Sequence, residues 1–208
     1  MALLDRDDRN AVAHLTMNAP ERLNALSDEM LAALQDQIDA LQADRSVRAV
    51  VLSGTGKAFC AGHDLKQMTA GRQAEDGGAA YFKDLFERCS AVMTGLQTLP
   101  QPVIAQVHGI ATAAGCQLVA SCDMAVAAEG TRFGVNGVNI GLFCSTPMVA
   151  LSRAVGRKQA MDMLLTGEFV DAERARQMGL VSRLVEPDRL DEEVAGLTAL
   201  LASKPPLT

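Results

Sequence analysis

Two stretches of this chain put glycine and other small residues directly after an apolar run. One is SGTGKAFCAGHDLK, residues 53–66; the other is VHGIATAAGCQL, residues 107–118, which leads into a helical pattern. Small side chains let a ligand reach the main chain, and the first N–H groups of a helix have no partner inside it. Such groups attract an anion. Two of them converging from separate segments can hold the oxyanion that develops on a carbonyl during acyl chemistry, commonly the largest single catalytic contribution. Neither stretch is a Walker-type phosphate loop or a GxGxxG dinucleotide fingerprint. Spacing alone leaves ordinary tight turns as the commoner reading.

The elements around these stretches alternate between strand and helix patterns. Residues 11–17 and 48–52 read as strands, separated by a turn-rich loop (18–26) and a helix. Ser27 is placed to cap that helix, with Asp28 and Glu29 in its first turn. Met30, Leu34, Ile38 and Leu41 form its apolar face. Residues 70–79, polar and with three glycines, read as a mobile excursion. A helix over 80–99, a buried-type strand over 103–107, a helix over 113–121 and a strand over 124–127 follow. A loop over 129–146, helices near 147–155, 157–165 and 171–178, a strand over 180–185 and a helical pattern over 187–202 complete the chain. Strands joined by crossover helices predict right-handed βαβ units and an α/β fold with helices covering the sheet.

Composition narrows the function. The chain has 208 residues, 49% hydrophobic and only 3% aromatic, enough for one sizeable aliphatic core. With a net charge of −6, no basic block and few stacking rings, neither nucleic acid nor a membrane surface is an expected partner. No run approaches the roughly 18 apolar residues that span a bilayer, and the N-terminus has no signal-peptide core. The five cysteines form no CxxC pair, so reduced thiols in a cytoplasmic protein are expected, without a metal site.

Five segments together, PERLNAL, AFCAGHDLKQM, PVIAQVHGIATAAGCQLVASCDMAVAAE, TRFGVNGVNIGL and LTGEFVDAERARQMGLVSRLV, resemble the crotonase (enoyl-CoA hydratase/isomerase) superfamily, in the right order from about residue 10 to 200. The resemblance implies a crotonase-like (ClpP/crotonase) spiral of ββα units with helices covering the sheets, one domain over residues 1–208. It also implies a homo-trimer or hexamer. The C-terminal helical extension usual in the family is largely absent. The implied ligand is an acyl-CoA thioester, coenzyme A being part of the substrate and no cofactor being bound tightly. By motif position the oxyanion N–H groups belong to His63 and Ala114. The CoA moiety would lie along Arg22, Leu23, Ala25 and Leu26, then Ala61, Asp64, Leu65 and Lys66, with Gly115 beside the thioester. Arg22 and Lys66 suit phosphate groups.

The resemblance also implies two glutamates that activate water and deliver a proton. Their positions hold Gln117 and Gly137, which cannot exchange a proton near neutral pH. Each such group is worth roughly a hundred- to ten-thousand-fold in rate, so ordinary hydration should be weak or absent. Hydration gained on restoring both acids, Gln117→Glu with Gly137→Glu, would show that the remaining site is competent. Other groups could substitute. His63 could act as base or orient a carboxylate, or merely pack; Cys144 could be a nucleophile or a buried thiol. Asn136 and Asn139 could bind a polar acyl group or set turns, and Glu168 could reach the site or lie on the surface. His14 and His108 read as core or edge histidines, and Asp123 and Glu129 as caps. Chemistry that needs no protein proton donor stays open: decarboxylation of a malonyl-type thioester above all, thioester hydrolysis less readily. The rival readings are a non-catalytic CoA-ligand sensor or assembly subunit, and a generic α/β domain.

Overall fold

The computed structural model describes residues 2–205. It opens on a hairpin in which β1 (Leu4–Arg9) pairs antiparallel with β2 (Val12–Met17). Asn10 and Ala11 make the turn with φ of 54° and 61°, as a two-residue primed turn requires. Ala11 therefore belongs to the turn, and the expected strand begins one residue later. β1 itself is invisible as a pattern, because LDRDDR is charged and mostly exposed. Charge of that kind protects an edge strand from pairing with other chains. α1 (Asp28–Gln42) starts at the expected cap, where Ser27 Oγ accepts the Met30 N–H at 3.2 Å. Its four predicted apolar residues are all buried.

β3 (Ala49–Gly54), α2 (Leu65–Gly71), α3 (Ala79–Thr98), β4 (Val103–Val107), β5 (Ile110–Thr112) and α4 (Ala114–Ser121) follow. Then come β6 (Met124–Ala128), β7 (Arg132–Gly134), α5 (Ser145–Ala154), α6 (Arg157–Thr166), β8 (Val170–Asp171), α7 (Ala172–Met178), β9 (Arg183–Val185) and α8 (Leu190–Ala202). The larger sheet runs β1-β2-β3-β4-β6-β9 and is parallel after its first pair; β5-β7-β8 form a smaller one. Its central strands are apolar on both faces, as a parallel sheet covered on both sides demands. One face packs with α1, α3 and α4 in the main core. On the other, Val51, Ile104 and Val126 lie beneath Leu190, Val194 and Leu197 of α8.

A strand of the large sheet, a short strand of the small one and a helix recur as β4-β5-α4 and β6-β7-α5. The repeat is one of backbone path, so no repeat of residues accompanies it. Three departures from expectation share a cause. The 129–146 segment contains β7 and a 3-10 turn at Asn136–Ile140, and the 180–185 strand shrinks to three residues. The 70–79 excursion is the end of α2 plus hydrogen-bonded turns, closed by Asp76, whose carboxylate accepts the Gly78 and Ala80 N–H groups at 2.8 and 2.9 Å. Elements of two to seven residues are specified by partners distant in sequence, not by periodicity.

Candidate active site

The small layer brings separate segments side by side. Leu26 N–H donates to the Gly62 carbonyl at 2.8 Å and Ala61 N–H to that of Leu23 at 3.0 Å. On the opposite edge, Cys60 N–H donates to Ile110 at 3.2 Å and Thr112 N–H to Cys60 at 3.0 Å. Residues 60–63 are thus clamped between the 22–26 loop and β5. The loop is fastened by buried Asn24, whose amide nitrogen donates to the Thr55 and Ala58 carbonyls at 2.9 and 2.8 Å. Asn24 has φ of 53°, a conformation asparagine tolerates better than most residues. That tolerance was the signal in the sequence for a role that motif position does not give.

Two glycines permit the close approach. Gly62 has φ of +90°, and a Cβ there would lie 2.9 Å from the Ala113 Cβ and 3.4 Å from the Ala114 nitrogen. A Cβ on Gly115 would collide with the Cys60 carbonyl oxygen. Gly115 is therefore a buried packing contact between α4 and the 60–63 segment. The peptide joining Gly62 to His63 lies against the start of α4, where Ala114 is the first helical residue. Ala113, its N-cap, is held at φ 51° and ψ −121° by its N–H to Gly134 at 2.9 Å and the Gln117 N–H to its carbonyl at 3.1 Å. A non-glycine residue in such a conformation costs on the order of 1–3 kcal/mol. Among the described residues, neither the His63 nor the Ala114 N–H donates to a side chain or to another loop segment. Two donors from different segments thus stand next to one another.

Beside them opens a cavity of about 510 Å³ lined by Arg22, Leu23, Ala25, Ala61, His63, Asp64, Leu65 and Lys66, together with Glu21. The structure gathers most of the predicted binding residues here. Leu26 is not among them: it is 1% exposed and braces the segment through its backbone. Asp64 caps α2, accepting the Lys66 and Gln67 N–H groups at 2.8 and 3.2 Å. Burial pushes its carboxyl up, but the Arg22 hydrogen bond and those two N–H groups outweigh it and hold Asp64 below the usual carboxylate range. Arg22 is committed to this carboxylate, its Nε donating at 3.1 Å. Lys66 is exposed and has no ion-pair partner among the described residues, so it is the cation free to meet an incoming anion.

His63 projects its ring toward Phe86, edge-on at 6.0 Å between centroids. Both ring nitrogens are enclosed without a hydrogen-bond partner. Burial lowers its pKa, against a smaller opposing effect from the Leu26 backbone, so the imidazole is neutral. Gln117 is also buried, with its Oε1 unpartnered. At Gly137 the main chain has closed the space. A Cβ there would collide with the Leu142 carbonyl oxygen and approach the Cys144 Sγ at 2.8 Å. A side chain at this position would require the 142–144 segment to shift. Burial pushes the Cys144 thiol up, countered in part by the Gly137 N–H, which leaves it a poor nucleophile. Asn136 accepts the Thr112 hydroxyl at 2.6 Å and Asn139 donates to the Gly167 carbonyl at 3.2 Å, so both secure loops. Glu168 lies on the surface. Asp123 accepts the Val103 N–H at 2.8 Å, and His108 pairs with the Gly56 carbonyl at 2.8 Å.

The sequence profile of enoyl-CoA hydratase/isomerase matches residues 7–208. The chain belongs to that family. Enoyl-CoA hydratase domain-containing protein 3 of Xenopus laevis is 48% identical over 184 residues, 88% of this chain and 61% of the relative. The Homo sapiens protein of the same name is 44% identical over 93% of this chain and 62% of its own length. The chain therefore spans about three-fifths of these relatives. A crystal structure of an enoyl-CoA hydratase from Mycobacterium smegmatis superposes with a TM-score of 0.95 at 55% identity, over 99% of this chain and 79% of that one. The human domain-containing protein 3 structure gives 0.92 at 41%, over 98% and 79%. The fold is the crotonase fold of the family. The expectation of a cytoplasmic location is overturned, because the Xenopus and human relatives are named as mitochondrial. Among the described residues no helix is long and apolar enough to cross a membrane.

Proposed function

We propose that residues 1–208 form one crotonase-like domain that binds an acyl-CoA thioester and stabilises its enolate, without hydrating it by the two-carboxylate route. The observation that carries this reading is the asymmetry around the Ala114 helix start. On one side are the paired N–H groups of His63 and Ala114 and a cavity with a free Lys66. On the other, Gln117 replaces one acid and the Leu142 carbonyl with Cys144 occupies the room for the second. Coenzyme A enters as part of the substrate, with Lys66 toward its phosphates.

Decarboxylation of a malonyl-type thioester suits such a site. The bond from Cα to the carboxylate breaks, CO2 leaves, and its electron pair forms the enolate whose oxygen faces the two N–H groups. Solvent then protonates Cα. The rival is a non-catalytic sensor or assembly subunit, favoured by the absence of an activated proton donor. A homo-trimer or hexamer is supported by exposed apolar side chains on elements that adjoin one another, Ile140, Leu142, Phe143, Val149 and Leu165.

A mass-spectrometric screen of acyl-CoA thioesters separates the readings. Conversion of malonyl-CoA to acetyl-CoA supports decarboxylation. Unchanged thioesters, with CoA still raising the melting temperature, support the sensor. No shift with CoA would overturn the thioester-binding reading while leaving the fold and family unchanged.

A further inference from the structure

A buried carboxylate stands in the wall of the cavity that, on the reading above, receives a polyanion. Asp64 lines that cavity with its side chain 7% exposed. A carboxylate free to face the ligand would repel phosphates. This one has no lone pair free. Its Oδ1 accepts the Lys66 and Gln67 N–H groups at 2.8 and 3.2 Å. Its Oδ2 accepts the Arg22 Nε at 3.1 Å and a terminal nitrogen of the same guanidinium. Four donors fill the four acceptor positions of an ionised carboxyl. Asp64 therefore joins two segments of the protein and does not read the ligand.

What it joins decides where the His63 N–H points. Leu26 and His63 face one another in a parallel bridge. Leu26 N–H donates to the Gly62 carbonyl at 2.8 Å, and Asp64 N–H to that of Leu26 at 3.4 Å. In such pairing the residues flanking the bridged one bond to the neighbouring segment, and the bridged residue turns its own N–H the other way. The His63 N–H thus points away from the 22–26 loop, to the side where β5 and the start of α4 lie. That direction lasts only while Leu26 stays seated against residues 62–64, and the Asp64 bond is the longer of the two. Asn24 fastens the loop to residues 55 and 58. The pin beside His63 is the Arg22–Asp64 pair.

We propose that Asp64 is the positioning residue of the oxyanion site. Holding Arg22 with one oxygen and the first turn of α2 with the other, it sets the direction of the His63 N–H without touching the ligand. The inference rests on the thioester reading above and does not depend on which bond at Cα is broken.

The test is infrared difference spectroscopy of acetyl-CoA labelled with a heavy carbon isotope at its thioester carbonyl, beside calorimetric titration with CoA. On the unaltered chain the carbonyl band should move to lower frequency than in solution, because two N–H groups draw charge onto the oxygen. Asp64→Asn keeps an oxygen for the α2 cap but turns an amide NH2 toward Arg22, so it breaks the bridge alone. It should lose most of the band shift while affinity for CoA rises, since a negative charge has left the cavity wall and Arg22 is released. Arg22→Met breaks the same bridge from its partly exposed end and should also lose the shift; the double variant should lose no more than either single one. Asp171→Ala removes the cap of α7, where the carboxylate accepts the Arg174 N–H at 2.7 Å, and should lower stability with the band shift intact. An unchanged shift in either bridge variant would overturn the proposal. So would weaker CoA binding in Asp64→Asn, or an equal loss of shift in Asp171→Ala. If the unaltered chain binds CoA without a band shift, or does not bind it, the thioester reading falls and this inference with it, an outcome distinct from loss in the variants alone.

Discussion

The two sides of the α4 N-terminus have been treated differently. On the side of the His63 and Ala114 N–H groups, Gly62 and Gly115 admit close packing, Asn24 fastens a loop, and Ala113 endures an unfavourable conformation. On the side of Gly137 the Leu142 carbonyl and Cys144 fill the space over the glycine. Loss of an acid by substitution alone would leave a gap of about its own size. Here the gap is absent, because the Leu142 carbonyl and the Cys144 Sγ stand over Gly137.

Substitutions at three glycines probe this contrast. Gly115→Ala drives a methyl into the Cys60 carbonyl, where no side chain can yield. Overpacking of a rigid contact costs about 3 kcal/mol, and denaturant melts should show that loss together with lost CoA binding. Gly137→Ala meets one backbone oxygen and one thiol, and the thiol can move. Its cost should be nearer 2 kcal/mol, with CoA binding retained. Gly196→Ala in α8 meets nothing within 4 Å and should stabilise the chain by about 0.5–1 kcal/mol. Equal effects at Gly115 and Gly196 would break the contrast.

The smallest effect is on pH dependence. Buried, neutral His63 has its pKa lowered from 6.5 in the folded chain. Below that pH the unfolded chain therefore binds the proton first, and stability falls as pH drops from 6.5 toward the folded-state value. His63→Phe should flatten, without abolishing, the fall in melting temperature between pH 6.5 and about 5. His14, lowered mainly by burial, contributes with the same sign and keeps part of the slope. An unchanged slope would show that the His63 ring is solvated.

Much of this site was legible in the sequence, for identifiable reasons. His63, Ala114, Lys66 and the loop positions stand in contiguous motifs, and Ser27 with four apolar residues announces α1. What escaped depends on distance. Phe86 reaches His63 from a helix read only for its length. Arg22 looked free until Asp64, 42 residues away, claimed it. Gly137 read as a missing side chain; only the folded loop shows that its space is taken. The charged β1 carries no periodic signal at all.

The most direct test of the central claim is the rate of crotonyl-CoA hydration by this chain, measured beside a two-glutamate hydratase under the same conditions. The account predicts a rate at least about a hundredfold lower, at concentrations where the same thioester raises the melting temperature. A comparable rate would contradict it.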